Sequence, residues 1–493
     1  MRAQVGLPSM HRGLWSGLLL SVWTVLGGWG VPGAVPPTRP NILFILADDL
    51  GYGELGCYGQ QLIRTPALEQ MAREGMRFTQ FYAGATVCAP SRSVLMTGLH
   101  HGHTRVRGNA APEGSGPQRL RATDFTVARA LQLAGYRTGL IGKWGLGMAG
   151  DAGAPNKQGF DYFFGYLSQH HAHNHYPDYL WRNEAKVPLP NGVLLVGTNG
   201  GGYATNAVVY AGDLFTEEAL RFIERPSDEL RAAPQPWFLY LAYVAPHANN
   251  ERTRQLKEGA EVPDLGIYRD APWPPANRAH AAMITRMDAD IGRLLRRLRE
   301  LGIEQNTLVM FSSDNGPHKE SGHDPALFRP AEVFRGYKRD LTEGGIRVPF
   351  LAWWPGTIRP GSVSTHVGYF GDFFATAVEL ASGPLPKGLD SLSLVPVLRG
   401  RRGARSHEWL YWEFHEGGFS QAALQNGRWK GIRSRRVDAP LELYDLKTDP
   451  GETHNLAATH PRRVAAITRY LATARTESSD WPIHLPRAAH EQP

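Results

Sequence analysis

Short apolar runs that end in polar residues recur between residue 41 and about residue 385. Two of them, "NILFILADD" (41–49) and "TLVMFSSDNG" (307–316), are typical of parallel strands buried on both faces. Segments with helix start and stop signals lie between such runs. In "TPALEQMAREG", for example, Thr65 precedes Pro66, and Gly75 ends the pattern. Alternating strands and helices predict one large α/β domain with a mixed, mainly parallel sheet, which we place at residues 39–400.

The pattern changes after "LRGRRGARSHE" (398–408). Three later segments, "EWLYWEF", "QAALQNGRWKGIR" and "LELYDL", are typical of short antiparallel strands joined by turns. A closing helix is expected from about Arg462 to Arg475. We therefore predict a smaller C-terminal α+β domain with an antiparallel sheet at residues 401–493. Within the large domain, helical spacing predicts a long amphipathic helix from Ala279 to Leu301.

The first 30 residues have the order of a secretory signal peptide. Arg2 and Arg12 precede the apolar stretch "GLWSGLLLSVWTVLGG", and small and turn-forming residues follow it. This stretch is short for a membrane anchor, so we expect a secreted or periplasmic protein with no stable membrane span. Only Cys57 and Cys88 are present, so at most one disulfide could form.

The net charge of +7 is compatible with an anionic substrate, although a mildly basic solvated surface is the commoner cause of such a charge. The sequence contains no zinc-ligand array, RNA-binding aromatic signature or long basic block. We therefore expect no nucleic-acid partner.

Acidic and amide side chains follow two of the predicted strands. Asp48 and Asp49 end the first, and Asp314 and Asn315 end another. In open α/β sheets, ligands bind beyond the carboxyl ends of the strands. A cluster of oxygen ligands suits Ca²⁺, or secondarily Mg²⁺, rather than zinc. A single aspartate at a strand end more commonly caps a helix or turn, but two separate strand ends favour the metal site.

The segment "VCAPSRSVLMTG" (87–98) places a cysteine close to a predicted helix start. Pro90 suits the first helical position, so Cys88 would precede a helix N-terminus, with Arg92 four residues on. Such surroundings favour an activated nucleophile near an oxyanion. The alternative is a buried free cysteine, which is the commoner fate of a lone thiol.

In this segment the chain resembles the sulfatase family, a branch of the alkaline phosphatase superfamily. Cys88-Ala89-Pro90-Ser91-Arg92, followed by Thr97-Gly98, matches the sulfatase signature C-x-P-S-R with its later T-G. The resemblance extends from Pro40 to about Pro461. It includes, in the family's order, "NILFILADDLGYGELGCYG", "TGLIGKWGLG", "PWFLYLAYVAPH", "SSDNGPH", "KRDLTEGGIRVP" and "LYDLKTDPGETHNL".

The resemblance implies an alkaline-phosphatase-like fold and a set of site residues. A formylglycine-generating enzyme would oxidise Cys88 to the aldehyde formylglycine. Ca²⁺ would be held by that residue together with Asp48, Asp49, Asp314 and Asn315. Arg92 would anchor the hydrated aldehyde, and Lys143 and Lys338 would hold sulfate oxygens. His247 would lie near the ester oxygen as a candidate general acid. Taken singly, each lysine would more commonly be a solvated surface residue. The histidine would more commonly be a hydrogen-bonded residue at the end of a strand.

The implied chemistry explains why a cysteine must be converted. Hydration of the aldehyde gives two hydroxyl groups. One attacks sulfur and expels the alcohol, and loss of the other's proton releases sulfate. A serine sulfate ester has no second hydroxyl with which to drive this release.

The chain departs from the family pattern at two positions. Gly145 stands where the family often has the histidine that takes the second proton, and Leu99 stands where arginine often follows Thr-Gly. The histidine-rich segment "QHHAHNHYPDYLW" offers three alternatives: a replacement base or substrate contact, a second metal site, or polar loop residues. In a strand, His171, His173 and His175 would share one face.

Three functions follow from these residues. The leading hypothesis is a calcium-dependent sulfatase that acts on an alkyl or aryl sulfate ester, such as that of a sulfated carbohydrate. The second is a phosphate mono- or diester hydrolase, because the same architecture serves that chemistry. The third is a non-catalytic binder of anionic glycans, which only Gly145 suggests.

Overall fold

The computed structural model describes residues 39–483 except 110–117, 198 and 225–234. The predicted signal peptide at 1–30 and the last ten residues of the predicted C-terminal domain lie outside the described residues. Across the described ranges we find no helix with the length and apolar character that a bilayer span requires.

The described strands fall into one large sheet, one four-stranded sheet and two small pairs. In chain order they are β1 (Asn41–Asp48), β2 (Met76–Phe78), β3 (Phe81–Tyr82), β4 (Arg137–Lys143), β5 (Tyr162–Tyr166), β6 (Tyr179–Arg182), β7 (Ala185–Pro188), β8 (Gly192–Leu195), β9 (Gly202–Asn206), β10 (Trp237–Pro246), β11 (Thr307–Ser313), β12 (Phe350–Trp353), β13 (Ser362–Ser364), β14 (Gly368–Tyr369), β15 (Trp409–Phe414), β16 (Ser420–Gln425), β17 (Trp429–Arg433) and β18 (Glu442–Asp445).

The α-helices vary from single turns to seven turns. In chain order they are α1 (Pro66–Glu74), α2 (Cys88–Thr97), α3 (Val127–Leu133), α4 (Ala211–Glu224), α5 (Asn250–Leu256), α6 (Pro275–Glu300), α7 (Glu343–Ile346), α8 (Asp372–Leu380), α9 (Val395–Leu398) and α10 (Pro461–Thr473). The long helix begins four residues before the predicted Ala279, because Pro275 occupies the first turn, where a missing N–H costs nothing.

The large sheet has the order β13-β2-β12-β11-β1-β10-β4-β5-β6-β7. Its five central strands, from β11 to β5, are all parallel, and antiparallel pairs occur on both sides of them. This confirms the mixed, mainly parallel sheet that the apolar runs predict. Because the central strands run the same way, the carboxyl ends of β1, β4, β10 and β11 meet at one edge.

Strand β1 contributes to two hydrophobic cores because its side chains alternate between the faces of the sheet. Ile42, Phe44 and Leu46 lie in one core, whereas Leu43 and Ile45 lie in the other. Helices α2, α3 and α8 cover the first face, and α1, α4 and α6 cover the second. Burial on both faces explains why this strand is a continuous apolar run.

The C-terminal antiparallel sheet, β15-β16-β17-β18, packs against the large domain. Leu410, Trp412 and Leu424 belong to the same core as Phe44. Helix α10 covers the opposite face and ends two residues before the predicted Arg475. Arg39 and the chain beyond it cluster as one compact unit, so the boundary near residue 401 stays a prediction.

Candidate active site

The four central strand ends bring the predicted polar residues together. Asp48 is the last residue of β1, Lys143 is the last of β4, and His247 directly follows β10. Asp314 follows β11, and its backbone N–H donates to Ala47 at the end of β1. All of these side chains are buried, so the site lies beneath the surface at the sheet edge.

Asp49 turns the chain sharply just after β1. Its φ of +66° is in the left-handed region, which is uncommon for a residue other than glycine. Its backbone N–H donates to Asp314 Oδ1 at 3.1 Å, and Leu50 N–H donates to Ser313 Oγ at 2.8 Å. These bonds to the last residue of β11 and to the residue after it hold the turn and place the Asp49 carboxylate in the site.

Cys88 is the first residue of α2, and its Sγ lies 3.3 Å from Asp48 Oδ1. The helix thus begins two residues before the predicted Pro90. Burial, followed by the charge of Asp48, raises the pKa of the Cys88 thiol well above its usual value. Burial and the carboxylate thus oppose ionisation of the thiol, so the activated nucleophile that the helix N-terminus favours stays a prediction. Both Cys88 and Cys57 are free thiols.

Arg92 lies one turn along α2 and is fully enclosed. Its Nε and Nη2 donate to Asp314 Oδ2 at 3.0 and 2.8 Å, and Nη1 donates to the Lys143 carbonyl at 2.7 Å. Its Nη2 also lies 3.6 Å from Asp48 Oδ2. A planar guanidinium can make all of these contacts at once, so Arg92 joins α2 to the ends of three strands.

Two lysines neutralise the aspartates. Lys143 Nζ lies 2.5 Å from Asp48 Oδ2, and Lys338 Nζ donates to Asp49 Oδ2 at 2.7 Å. Burial alone would raise the pKa of Asp48, but the charges of Lys143, Arg92 and Lys338 lower it. Burial would also lower the pKa of Lys338, but the charge of Asp49 raises it, so the Lys338 ammonium group stays charged.

The site has the oxygen ligands that a divalent cation needs. Asn315 Nδ2 donates to Asp49 Oδ1 at 2.7 Å, whereas its Oδ1 is buried without a partner. Burial and the charge of Asp48 raise the pKa of Asp314 to about 7, so its negative charge is incompletely compensated. An unpartnered amide oxygen beside three carboxylates fits a calcium or magnesium ion.

The imidazole of His247 is fixed in one orientation. Its Nδ1 lies 2.7 Å from the Ala248 carbonyl, so Nδ1 carries the hydrogen. Its Nε2 lies 3.1 Å from Lys338 Nζ and therefore accepts a hydrogen bond from the ammonium group. Burial and the charges of Lys338 and Lys143 lower the pKa of His247 well below its usual value.

The histidine-rich segment does not form the strand that would align its histidines. His171–His173 is a turn of 3₁₀-helix, and the three predicted side chains separate. The ring of His173 stacks on that of His247, with centroids 4.9 Å apart and planes 12° apart. His175 Nε2 lies 2.9 Å from the His247 carbonyl, whereas His171 packs against Tyr179. Among the described residues, no group of three possible metal ligands includes His171, His173 or His175, whereas His247 belongs to one with Asp48, Asp49 and Cys88.

The space beside Gly145 is occupied by Gln169. A Cβ built at Gly145 would lie 2.0 Å from Gln169 Nε2, and the glycine has a φ of +79°. Both amide atoms of Gln169 are buried without a partner. Gln169 therefore stands next to the position of the missing histidine, but an amide cannot take a proton.

Sequence reasoning did not find Glu251, on α5. Its Oε2 lies 2.9 Å from His173 Nδ1, and the carboxylate is buried. No sequence pattern links residues 173 and 251, because their contact depends on how the loops after β5 and β10 fold.

Most of the chain is similar to known proteins. The family model "Sulfatase" matches residues 40–383, and the model "N-sulphoglucosamine sulphohydrolase, C-terminal" matches residues 334–477. The chain is 32% identical to N-acetylgalactosamine-6-sulfatase of Sus scrofa, over 87% of this chain and 84% of that protein. It is 30% identical to steryl-sulfatase of Mus musculus, over 92% and 84%. The crystal structure of Ps i-CgsB in complex with k-i-k-neocarrahexaose superposes with a TM-score of 0.73 and 25% identity, covering 89% of this chain and 93% of that one.

Proposed function

Since this chain belongs to the sulfatase family and is a sulfuric ester hydrolase, we propose that it releases sulfate from a sulfated carbohydrate, using a formylglycine made from Cys88 and a bound calcium ion. The names of its relatives support this substrate class. One is an N-acetylgalactosamine-6-sulfatase, and another was solved with a carbohydrate ligand.

The position of Cys88 is the observation that carries the proposal. Its Sγ lies beside Asp48 at the edge where four strands end, and the raised thiol pKa makes an unmodified cysteine a poor nucleophile. A hydrated aldehyde at this position, next to calcium, would supply a nucleophilic oxygen without an ionised thiol.

The metal would be held by oxygen atoms from the two strand ends and the residue at position 88. These are the side chains of Asp48, Asp49, Asp314 and Asn315. The unpartnered Asn315 Oδ1 and the raised pKa of Asp314 support this assignment, because both groups lack a sufficient partner in the protein alone.

The cationic side chains would bind the anionic substrate. Lys143 and Lys338 are charged, and each contacts a different aspartate: Lys143 contacts Asp48 and Lys338 contacts Asp49. Both ammonium groups can therefore turn toward sulfate oxygens. Arg92 would anchor the residue at position 88, one turn before it on α2, and its bonds to Asp314 hold the guanidinium in place. The role of His247 as general acid stays a prediction, and the hydrogen bond that its Nε2 accepts from Lys338 does not favour it.

The proposal also includes export and maturation. The N-terminal pattern at residues 1–30 supports secretion or a periplasmic location. A formylglycine-generating enzyme would then be a partner of the newly made chain, and Cys88 would be its target.

Sulfate release from a panel of esters tests the function. The panel contains N-acetylgalactosamine 6-sulfate, a steryl sulfate and 4-nitrophenyl sulfate, with 4-nitrophenyl phosphate and a phosphodiester as comparators. We expect turnover of sulfate esters by the matured protein and its loss in Cys88→Ala. Faster turnover of the phosphates would favour the phosphohydrolase alternative. Glycan binding without turnover by a protein shown to carry the aldehyde would favour the binder.

A further inference from the structure

We propose that Arg339 and Glu416 form a subsite that binds hydroxyl groups of the sugar carrying the sulfate ester. This inference rests on the proposed function and names two residues that decide which sulfate esters the protein accepts. It begins from the surface next to Lys338, where a charged network is only partly paired.

Arg339 is the exposed neighbour of a buried lysine. The Lys338 side chain is 2% exposed and contacts Asp49, whereas the Arg339 side chain is 43% exposed. An ester whose sulfate reaches Lys338 from the surface leaves the rest of its molecule at the rim of the site. Arg339 lies at this rim, so it can contact the part of the substrate that does not react.

The backbone at Arg339 is held in an uncommon conformation. Its φ of +80° lies in the left-handed region, which a residue other than glycine seldom adopts. Its N–H donates to the Thr86 carbonyl at 3.0 Å, and Thr86 Oγ1 donates to the Asp340 carbonyl at 2.7 Å. Thr86 is two residues before Cys88, so these bonds fix Arg339 relative to the residue that carries the proposed nucleophile. Strained backbone of this kind clusters at functional sites.

One carboxylate joins the buried lysine to the exposed guanidinium. Glu320 Oε2 lies 3.6 Å from Lys338 Nζ, and Glu320 Oε1 accepts from Arg339 Nη1 at 2.7 Å. Burial opposes ionisation of Glu320, but the charges of Lys338 and Arg339 help to lower its pKa to about 2. The guanidinium is therefore held one carboxylate away from the group that would bind sulfate.

A second carboxylate comes from the C-terminal sheet. Glu416 lies in the turn between β15 and β16, and its Oε2 accepts from Arg339 Nε at 3.2 Å. Its side chain is 50% exposed, so it is accessible to a substrate. The C-terminal sheet thus contributes a residue to the rim of the active site.

This network leaves donors and an acceptor unused. Among the described residues, Arg339 Nη2 and Glu416 Oε1 have no hydrogen-bond partner. The Nη2 atom offers two N–H groups, and the Oε1 atom is an acceptor. A sugar hydroxyl both donates and accepts, so a fixed donor beside a fixed acceptor matches the hydroxyl groups of a sugar.

The charges at the rim favour hydroxyl groups over a second anionic group. Glu320 and Glu416 flank the single guanidinium of Arg339. Asp340 and Lys319 are exposed and adjoin this network in the sequence. Three carboxylates against two cations disfavour a second sulfate or a carboxylate on the substrate, because like charges repel.

Turnover of sugar and aryl sulfates by matured wild type and Arg339→Met tests the subsite. The probes are 4-nitrophenyl sulfate, which has no hydroxyl group, and the 6-sulfates of galactose, N-acetylgalactosamine and N-acetylglucosamine. Loss of hydrogen bonds to a charged group should raise KM of R339M for the sugar sulfate about 10–100-fold, with kcat changed less than about threefold. The kinetic constants for 4-nitrophenyl sulfate should stay within about threefold of wild type.

The outcomes separate this inference from the proposed function. An equal loss on both classes of substrate in R339M, or no loss, would overturn the subsite. A wild type that hydrolyses 4-nitrophenyl sulfate and none of the sugar sulfates would also overturn it, with the sulfatase activity intact. A wild type that carries the aldehyde and hydrolyses none of these esters would instead overturn the proposed function.

Matched variants separate contact with the sugar from packing between the two sheets. Arg335→Met is the control, because its side chain is also 43% exposed and its Nη2 donates to Tyr444 Oη on β18 at 3.2 Å. R335M should keep the wild-type ratio of sugar to aryl turnover. Glu416→Ala changes an exposed turn and should raise KM for the sugar sulfate, whereas Glu416→Gln keeps an acceptor and should raise it less. A loss in R335M as large as that in R339M would mean that packing between the sheets is responsible.

Deoxy substrates give a readout that a structural role would not move. Removing the sugar hydroxyl that contacts the subsite should raise KM of wild type, but it should cost R339M little because the partner is already absent. Equal costs in both proteins at every hydroxyl position would overturn the inference. A disulfated sugar tests the charge argument: if wild type prefers it to the monosulfated sugar and R339M does not, the subsite binds an anion rather than hydroxyl groups.

Discussion

Lys430 donates to Glu343 Oε1 at 2.9 Å across the junction between the C-terminal sheet and the large domain. Lys430 is on β17, Glu343 begins α7, and Glu452 Oε1 lies 3.0 Å from the same ammonium group. All three side chains are fully buried. The two predicted domains therefore share an ion pair as well as a hydrophobic core.

Lys430→Met should destabilise the whole protein. It leaves the buried Glu452 carboxylate without Lys430, and it leaves Glu343 with only Arg347, whose Nη1 lies 3.1 Å from Glu343 Oε2. We therefore expect a loss of about 3–5 kcal/mol in the free energy of unfolding. Urea unfolding measures this loss. Lys447→Met, at an exposed position, should change the free energy by less than about 0.5 kcal/mol. An equally small effect in K430M would mean that the junction is open to water.

Calcium should stabilise the protein through Asn315. A ligand that binds the folded state raises the thermal midpoint, and we expect such a rise with added Ca²⁺ and its reversal by EDTA. Asn315→Ala removes the unpartnered Oδ1, so about tenfold more Ca²⁺ or higher should be needed for the same rise. Asn206→Ala, at an exposed position on β9, is the control. A calcium response in N315A like that of wild type would exclude this residue as a ligand.

Mass spectrometry of the tryptic peptide Phe78–Arg92 should show an aldehyde at Cys88. The protein must come from its native host or be made beside a maturation enzyme. Cys88→Ala should lose sulfate release and remain folded, because the described contact of the thiol is a single one to Asp48. Cys57→Ala, at the other free cysteine, should keep the activity. Full activity with an unmodified thiol would refute the formylglycine.

Acid should destabilise the fold through buried neutral histidines. Burial lowers the pKa of His101 to about 4 from 6.5, so the folded state binds fewer protons than the unfolded state between these values. Stability is therefore lost as the pH falls below about 6.5. Wild type should lose free energy of unfolding between pH 7.5 and pH 5. In His101→Gln this loss should be smaller by about 2 kcal/mol, as measured by urea unfolding. The exposed control His454→Gln should retain that loss; a similar pH dependence in all three proteins would contradict the prediction.

The strand ends were predictable because two simple patterns fix them. A continuous apolar run ending in "DD" or "DN" indicates a buried parallel strand, and parallel strands end at a common edge. Asp49 and Asp314 therefore meet in the structure as the sequence suggests, with the Asp49 N–H donating to Asp314 Oδ1. Helix α2 begins two residues earlier than the sequence predicts, because Val87 rather than Ala89 is the residue that precedes its first turn.

The loop residues were less predictable because distant contacts decide their path. His171, His173 and His175 alternate in sequence, but Tyr166 donates to the Asn174 carbonyl and the segment folds into a turn. The partner of His173 comes from α5, 78 residues later. Local spacing carries no information about such a pair.

The shared core sets an order of events during synthesis. Trp412 Nε1 donates to the Ala83 carbonyl, between residues 329 positions apart, and this tryptophan packs in the core that α2 enters. The segment around Cys88 is therefore synthesised long before β15, which contributes Trp412 to this core. In the folded chain Cys88 is only 1% exposed, so the conversion that we propose would have to take place before the fold is complete.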